Sequence, residues 1–188
     1  MSTWIVAGNS YPFQVACGVV YDGKGNKDVL DVGPRMEVLL EVIQQSKNKV
    51  IVSPPLVAVV RKLLEAVRKE GYTAEAIYGE VSKNERDCIL SEFQSDSKLR
   101  VLVAQPGSRS HGLTLTAANT IVWLAPITSN ETYLQANARI TRPGQKVNQL
   151  IGMIEGTVME RRYYQRLKDK QKVQGLFFEM VREVRAYA

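Results

Sequence analysis

Apolar residues in this chain recur in two rhythms that take turns. From Pro34 the apolar positions Met36, Leu39, Leu40 and Ile43 fall at helical spacing, and the fixed φ of Pro34 suits a first turn. The rhythm then shortens: Lys49–Ser53 is a brief apolar run, which predicts a buried strand. Pro54-Pro55 opens a second predicted helix that runs through Lys69, with Val57, Val60, Leu64 and Val67 on one face and Gly71 as its stop. Residues 74–78 predict a strand, residues 82–93 a helix with Ser82 and Glu85 at capping-box spacing, and residues 100–104 a third strand. A strand at 120–124, a helix from Thr128 or Ser129 with Thr128 and Glu131 at capping-box spacing, a strand at 149–154 and a long helix after Gly156, capped by Thr157 and Glu160, complete the order. Strands alternating with helices imply βαβ units. The expected class is therefore α/β, a parallel sheet with helices on both faces.

The first thirty-three residues follow a different pattern. Residues 4–7 form a short apolar run suited to an edge strand. Residues 18–25 match the first seven positions of a Walker A loop, but the eighth is Gly25, where a Ser or Thr hydroxyl must hold magnesium. Asn26, Lys27 and Asp28 then continue turn chemistry instead of opening a helix whose amides receive phosphate. Asp22-Gly23 and Gly25-Asn26 predict a hairpin or loop between Val19-Val20 and Val29-Leu30. Residues 1–33 are read as a lead-in belonging to the same domain as residues 34–188.

A length of 188 residues with 45% hydrophobic content suits one domain with a substantial core. The net charge of +6 and an isoelectric point near 9.3 lean toward polyanionic partners. No apolar run reaches transmembrane length, so nucleic acid is favoured over membrane. Cys17 and Cys88 lack metal-ligand spacing and are expected to be reduced core thiols. With no export signal, the expected location is intracellular, cytoplasmic or nucleoid-associated, and not secreted.

Two stretches carry candidate chemistry. In the first, Gln135, Arg139 and Arg142 stand at i, i+4 and i+7 on one helix face, with Leu134 and Ala138 expected to turn to the core and Pro143-Gly144 to end the helix. Two guanidiniums on one edge repel unless an anion sits between them, and the planar fork suits phosphate oxygens. Glu131, at the start, is the only acid in that helix, which weakens the reading as an exposed stripe with matched carboxylates. In the second, residues 105–116 place small residues and Gly112 after a buried strand, where backbone amides can approach phosphate. His111 is the only histidine, and no nucleophile or carboxylate can be paired with it, so a structural or backbone-contacting role is expected. Ligands of parallel sheets bind beyond the carboxyl ends of the strands, which points to Ser53, Gly79, residues 105–112 and Ala125.

The pattern Gln135-x-x-x-Arg139-x-x-Arg142-x-Gly144-Gln145 resembles the last conserved motif of superfamily II helicases, in the Swi/Snf branch of duplex-DNA translocases. The resemblance runs from about Phe13 to the C-terminus, includes Gln14, Gly18 and Tyr21 as a lead-in, and marks the second RecA-like lobe, a P-loop NTPase-like fold without its own P-loop. It implies that Arg139 and Arg142 are catalytic, reaching across a cleft to ATP held by a first lobe, with Gln135 and Gly112 as further ATP contacts. It implies nucleic-acid contacts at Ser53, Gln105, Ser108, Arg109 and His111. Arg109 and Ser110 stand where many members carry glycine, and Thr114 replaces the usual asparagine. Gly79, Glu80, Ser82 and Arg86 match the family's glycine followed by a capped helix, Arg86 bracing that helix; Ser53 reads equally well as a capping hydroxyl before Pro54. No Asp-Glu pair closes an apolar strand to hold magnesium, so ATP and Mg2+ are expected only with the first lobe present and none tightly bound to this chain. The expected partners are an N-terminal RecA-like lobe, on the same or a separate polypeptide, and double-stranded DNA. The alternative from another class is a stand-alone nucleic-acid- or protein-binding module that keeps the lobe fold without catalysis.

Overall fold

A computed structural model describes residues 17–21, 27–29, 33–96, 98–106, 115–140 and 149–170. Its organising strand is β3 (Lys49–Ser53), whose successive side chains serve opposite faces of the sheet. Val50 and Val52 join one core cluster and Ile51 the other. β3 pairs in parallel with β5 (Val101–Ala104) on one side and with β6 (Ala118–Trp123) on the other. β4 (Ala74–Ile77) adds to β5 and β7 (Leu150–Met153) to β6, giving the five-stranded order β4-β5-β3-β6-β7. All four pairings are parallel, and the crossovers from β3 to β4, β4 to β5 and β6 to β7 each carry a helix onto a face of the sheet.

The helices divide by face. α1 (Gly33–Gln45) and α2 (Val57–Lys69) bury Leu39, Ile43, Val59, Val60, Leu63 and Val67 against Val50, Val52, Val101, Val103 and Val122. α3 (Lys83–Ser95), α4 (Asn130–Ala138) and α5 (158–170) cover the other side, with Ile89, Leu90, Phe93, Tyr133, Tyr164 and Leu167 on Ile51, Leu102, Ile121 and Trp123. The result is the three-layer arrangement the alternating pattern implies, in keeping with the RecA-like lobe that the motif resemblance implies. Leu64, expected on the buried face of α2, is only partly buried, and Leu63 takes its place. α2 begins at Val57, later than Pro54-Pro55 suggests, and its N-cap is Leu56, so Ser53 is no helix cap. At its other end Gly71 adopts φ +84, and Tyr72 N–H to Val67 O with Gly71 N–H to Arg68 O closes a Schellman stop.

The predicted hairpin is present: β1 (Val19–Tyr21) and β2 (Lys27–Val29) pair antiparallel, with Val20 opposite Asp28. The apparent Walker A match therefore straddles a hairpin. The run at residues 4–7, Gln14 and the last helix past residue 170 lie outside the described residues. Cys17 is buried, but Cys88 is exposed on α3, because Ile89, Leu90 and Phe93 take the inward positions there. The expectation of two core thiols holds for Cys17 alone.

Cations fasten both ends of the sheet. Neither α1 nor α3 has a basic residue in its last turn, so the terminal carbonyls are satisfied from elsewhere. Arg100 donates to the carbonyls of Ile43, Ser46 and Asn48, and Lys49 to those of Phe93 and Asp96. Burial holds the Lys49 ammonium below the usual lysine value. At the carboxyl end, Arg35 donates to Leu124 O at 2.5 Å and Ile154 O at 3.1 Å, and grips both oxygens of Glu160 at 2.8 and 3.0 Å. Glu160, 2% exposed, also accepts from Gly156 N at 2.8 Å and Thr157 Oγ1 at 3.1 Å, while Thr157 Oγ1 accepts from Glu160 N at 3.2 Å. The Thr157–Glu160 capping box thus doubles as a buried ion-pair site joining α1, β6, β7 and α5.

Candidate functional site

The arginine-bearing segment is positioned by β6. Trp123, the last residue of that strand, stacks its ring on Tyr133 of α4 at 5.0 Å and 41°. Its Nε1 donates to Asn137 Oδ1 at 3.0 Å in a buried bond. Tyr133 and Asn137 lie one turn apart, so together they fix the rotation of α4 about its axis. Burial raises the Tyr133 hydroxyl above the usual tyrosine value, and its hydrogen bond to Asn137 works against that shift.

The helix begins where expected, while its capping box, its inward face and its end are corrected. The N-cap is Ser129, whose hydroxyl accepts from Thr132 N at 3.2 Å. Glu131 does not complete a capping box; its carboxylate accepts from Gln135 Nε2 at 2.9 Å, one turn along an exposed face. Ala138 is exposed, and Tyr133, Asn137 and Ile140 are the inward residues, with Leu134 partly buried. α4 ends at Ala138, with Arg139 as C-cap at φ −66 and ψ −30. The i→i−4 ladder tightens there: Arg139 N bonds Ala136 O at 3.3 Å and Ile140 N bonds Asn137 O at 3.4 Å.

Arg139 is half-buried, and burial lowers its guanidinium below the usual arginine value, though an arginine so shifted stays charged at any physiological pH. Its carbonyl accepts from Leu115 N at 2.7 Å. Leu115 lies near the end of the small-residue stretch, just before β6, so this bond ties the two stretches of candidate chemistry to each other. Neither residue type nor spacing signalled it.

The carboxyl ends of β3 and β5 form a second locus. Ser53 is 2% exposed and donates to Ala104 O at 3.3 Å, stitching the two strands together. Gln105 follows Ala104, half-exposed, with its amide bonded to Ile77 O at 2.9 Å. Nearby, Arg86 Nη2 donates to Val81 O at 3.2 Å, bracing the start of α3 as expected, and Ser82 Oγ caps it by accepting from Glu85 N at 3.3 Å. Ser108, Arg109, His111, Gly112 and Arg142 lie outside the described residues. Among the described candidates, the structure joins Ser53 to the strand end before Gln105, and Arg139 to Leu115.

The helicase conserved C-terminal domain matches residues 34–144, from the start of α1 through the arginine segment. This chain belongs to that family. Its fold and motif make it a second lobe of the Swi/Snf branch of superfamily II. A probable global transactivator of Orgyia pseudotsugata multicapsid polyhedrosis virus is 30% identical over 112 residues, covering 59% of this chain and 22% of that protein. The C-terminal part of the Fun30 ATPase domain superposes with a TM-score of 0.64 at 18% identity, over 70% of this lobe and 44% of that chain. The Sulfolobus solfataricus SWI2/SNF2 ATPase core in complex with dsDNA superposes with a TM-score of 0.59 at 26% identity, over 74% of this lobe and 30% of that chain. The lobe thus spans less than half the length of each of these relatives. No helix among its described residues is long and apolar enough to cross a membrane.

Proposed function

We propose that this helicase lobe works as the second half of a DNA-dependent ATPase that moves along duplex DNA, contributing arginines to ATP bound on a first lobe. The observation that carries the reading is the 2.7 Å bond from Leu115 N to Arg139 O. It couples the stretch suited to a phosphate backbone to the residue suited to a nucleotide phosphate, so a shift at either is felt at the other. Arg139 and Arg142 would meet the phosphates, with Gln135 and Gly112 beside them, and ATP with its magnesium would supply the phosphoryl group to be transferred. The half-buried Arg139 is suited to that task, since a guanidinium partly removed from water attracts an anion more strongly than a solvated one. Gln135 would have to exchange its Glu131 carboxylate for phosphate.

On the nucleic-acid side, Gln105, Ser108, Arg109 and His111 are the proposed contacts. Ser53, buried against Ala104 O, acts through the strand end that carries Gln105. The structure of a SWI2/SNF2 ATPase core with dsDNA supports duplex DNA as the polymer. One lobe reaches only a few phosphates, so binding is expected to be weak, indifferent to sequence and steeply dependent on salt, with a log–log slope of about −2 to −4. Titration of unrelated duplexes at several salt concentrations tests this. Sequence-selective, salt-insensitive binding would reject it.

A further inference from the structure

Ile127 and Thr128 on the loop after β6, with Tyr163, Arg166, Leu167 and Lys170 on α5, line a cavity of about 170 Å³. Its floor is apolar: Leu167 is 4% exposed, and Ile127 packs against the same core cluster. Its rim is cationic. Arg166 and Lys170 stand at i, i+4 on the exposed side of α5, a spacing at which like charges repel. Arg161 is paired with Glu155 at 2.7 Å and Arg35 with Glu160 at 2.8 Å, and Gln165 bonds Asp169 at 2.9 Å. Neither Arg166 nor Lys170 forms an ion pair among the described residues. Thr128, in the wall, lies one residue before the Ser129 cap of α4, whose positive dipole end adds to the potential.

We propose that this cavity docks an acidic peptide segment of a partner protein, with an apolar side chain seated on Ile127 and Leu167 and flanking carboxylates on Arg166 and Lys170. The apolar floor is what favours a peptide over nucleic acid. A phosphate backbone has no apolar group to place in a concavity, and its contacts need only exposed cations. A carboxylate beside a leucine or phenylalanine satisfies both floor and rim, and the Arg166 fork matches its two oxygens. None of the described residues proposed above for nucleotide or nucleic acid lines the cavity, so the two readings are tested by different substitutions.

The test is fluorescence anisotropy of the chain with a labelled synthetic peptide of alternating Asp and Leu, in the absence of nucleotide and DNA. Arg166→Glu/Lys170→Glu is compared with Arg162→Glu/Lys168→Glu, which makes the same charge change on α5 outside the cavity. The expected result is binding that weakens about tenfold or more with the first pair and clearly less with the second. A peptide of alternating Asp and Ser should bind several-fold more weakly than the Leu version. Absence of binding, equal loss in both double variants, or indifference to Leu would each overturn the proposal. Competition by a duplex oligonucleotide that depends on Arg166 and Lys170, with no preference for the Leu peptide, would overturn it in favour of a phosphate site.

Discussion

Trp123 Nε1 donates to Asn137 Oδ1 at 3.0 Å inside the core, joining the last residue of β6 to the final turn of the helix that Arg139 caps. This bond orients α4 more specifically than its apolar contacts do, because an indole N–H and an amide oxygen meet in only one rotation of the helix.

Asn137→Leu removes the acceptor and leaves the buried indole N–H unsatisfied, at an expected cost of about 1–3 kcal/mol. Trp123→Phe should cost a comparable amount or more, since it also leaves a void. Urea unfolding of both singles and the double measures the coupling. A double variant whose loss equals the sum of the singles would show that the bond contributes nothing of its own.

Arg35 and Glu160 make the second expectation. Arg35→Met strands a carboxylate that is 2% exposed, which should destabilise by about 3–5 kcal/mol. Arg35→Met combined with Glu160→Leu should recover much of that, because the uncompensated charge leaves with its partner. Denaturant midpoints decide it, and a double variant as unstable as Arg35→Met alone would contradict the account.

Alkaline pH gives a third. Burial pushes the Cys17 thiol from 9.0 up to about 12, and burial also raises the hydroxyls of Tyr164 and Tyr133. In each case the unfolded chain ionises first. Stability is therefore full below pH 9 and declines as pH rises toward 12, where the folded thiol would titrate. Cys17→Ala should remove the earliest part of the decline and leave the tyrosine part, which starts near pH 10. Melting temperatures across this range that stay flat in the parent chain would refute the assignment.

Much of this was legible because it is local. Capping at Ser82, the stop at Gly71 and the strand Lys49–Ser53 depend on neighbours in sequence, and residue type announces them. What escaped depends on partners far apart. Nothing near Glu160 signals that it meets Arg35, 125 positions away, and its acidic type argues for the surface. Asn137 was hidden for the same reason, a polar residue on an inward stripe, although its place one turn after Tyr133 is the signal that was available. Ala138 misled because alanine suits either side of a helix. The arginine pattern was recognisable as a motif, while its tie to Leu115 was visible only in the folded chain.

The central claim is that Arg139 and Arg142 serve a phosphate on another lobe and not the stability of their own. The most direct measurement sets DNA-stimulated ATP turnover of a two-lobe protein carrying Arg139→Lys or Arg142→Lys beside the thermal melting of this chain with the same change. Lysine keeps the charge and loses the planar fork. Turnover should fall roughly a thousandfold, Gln135→Ala should cost less, and melting should move by no more than about 2 °C. The present chain without a first lobe should show only background hydrolysis. A large drop in melting temperature with near-normal turnover would contradict the account.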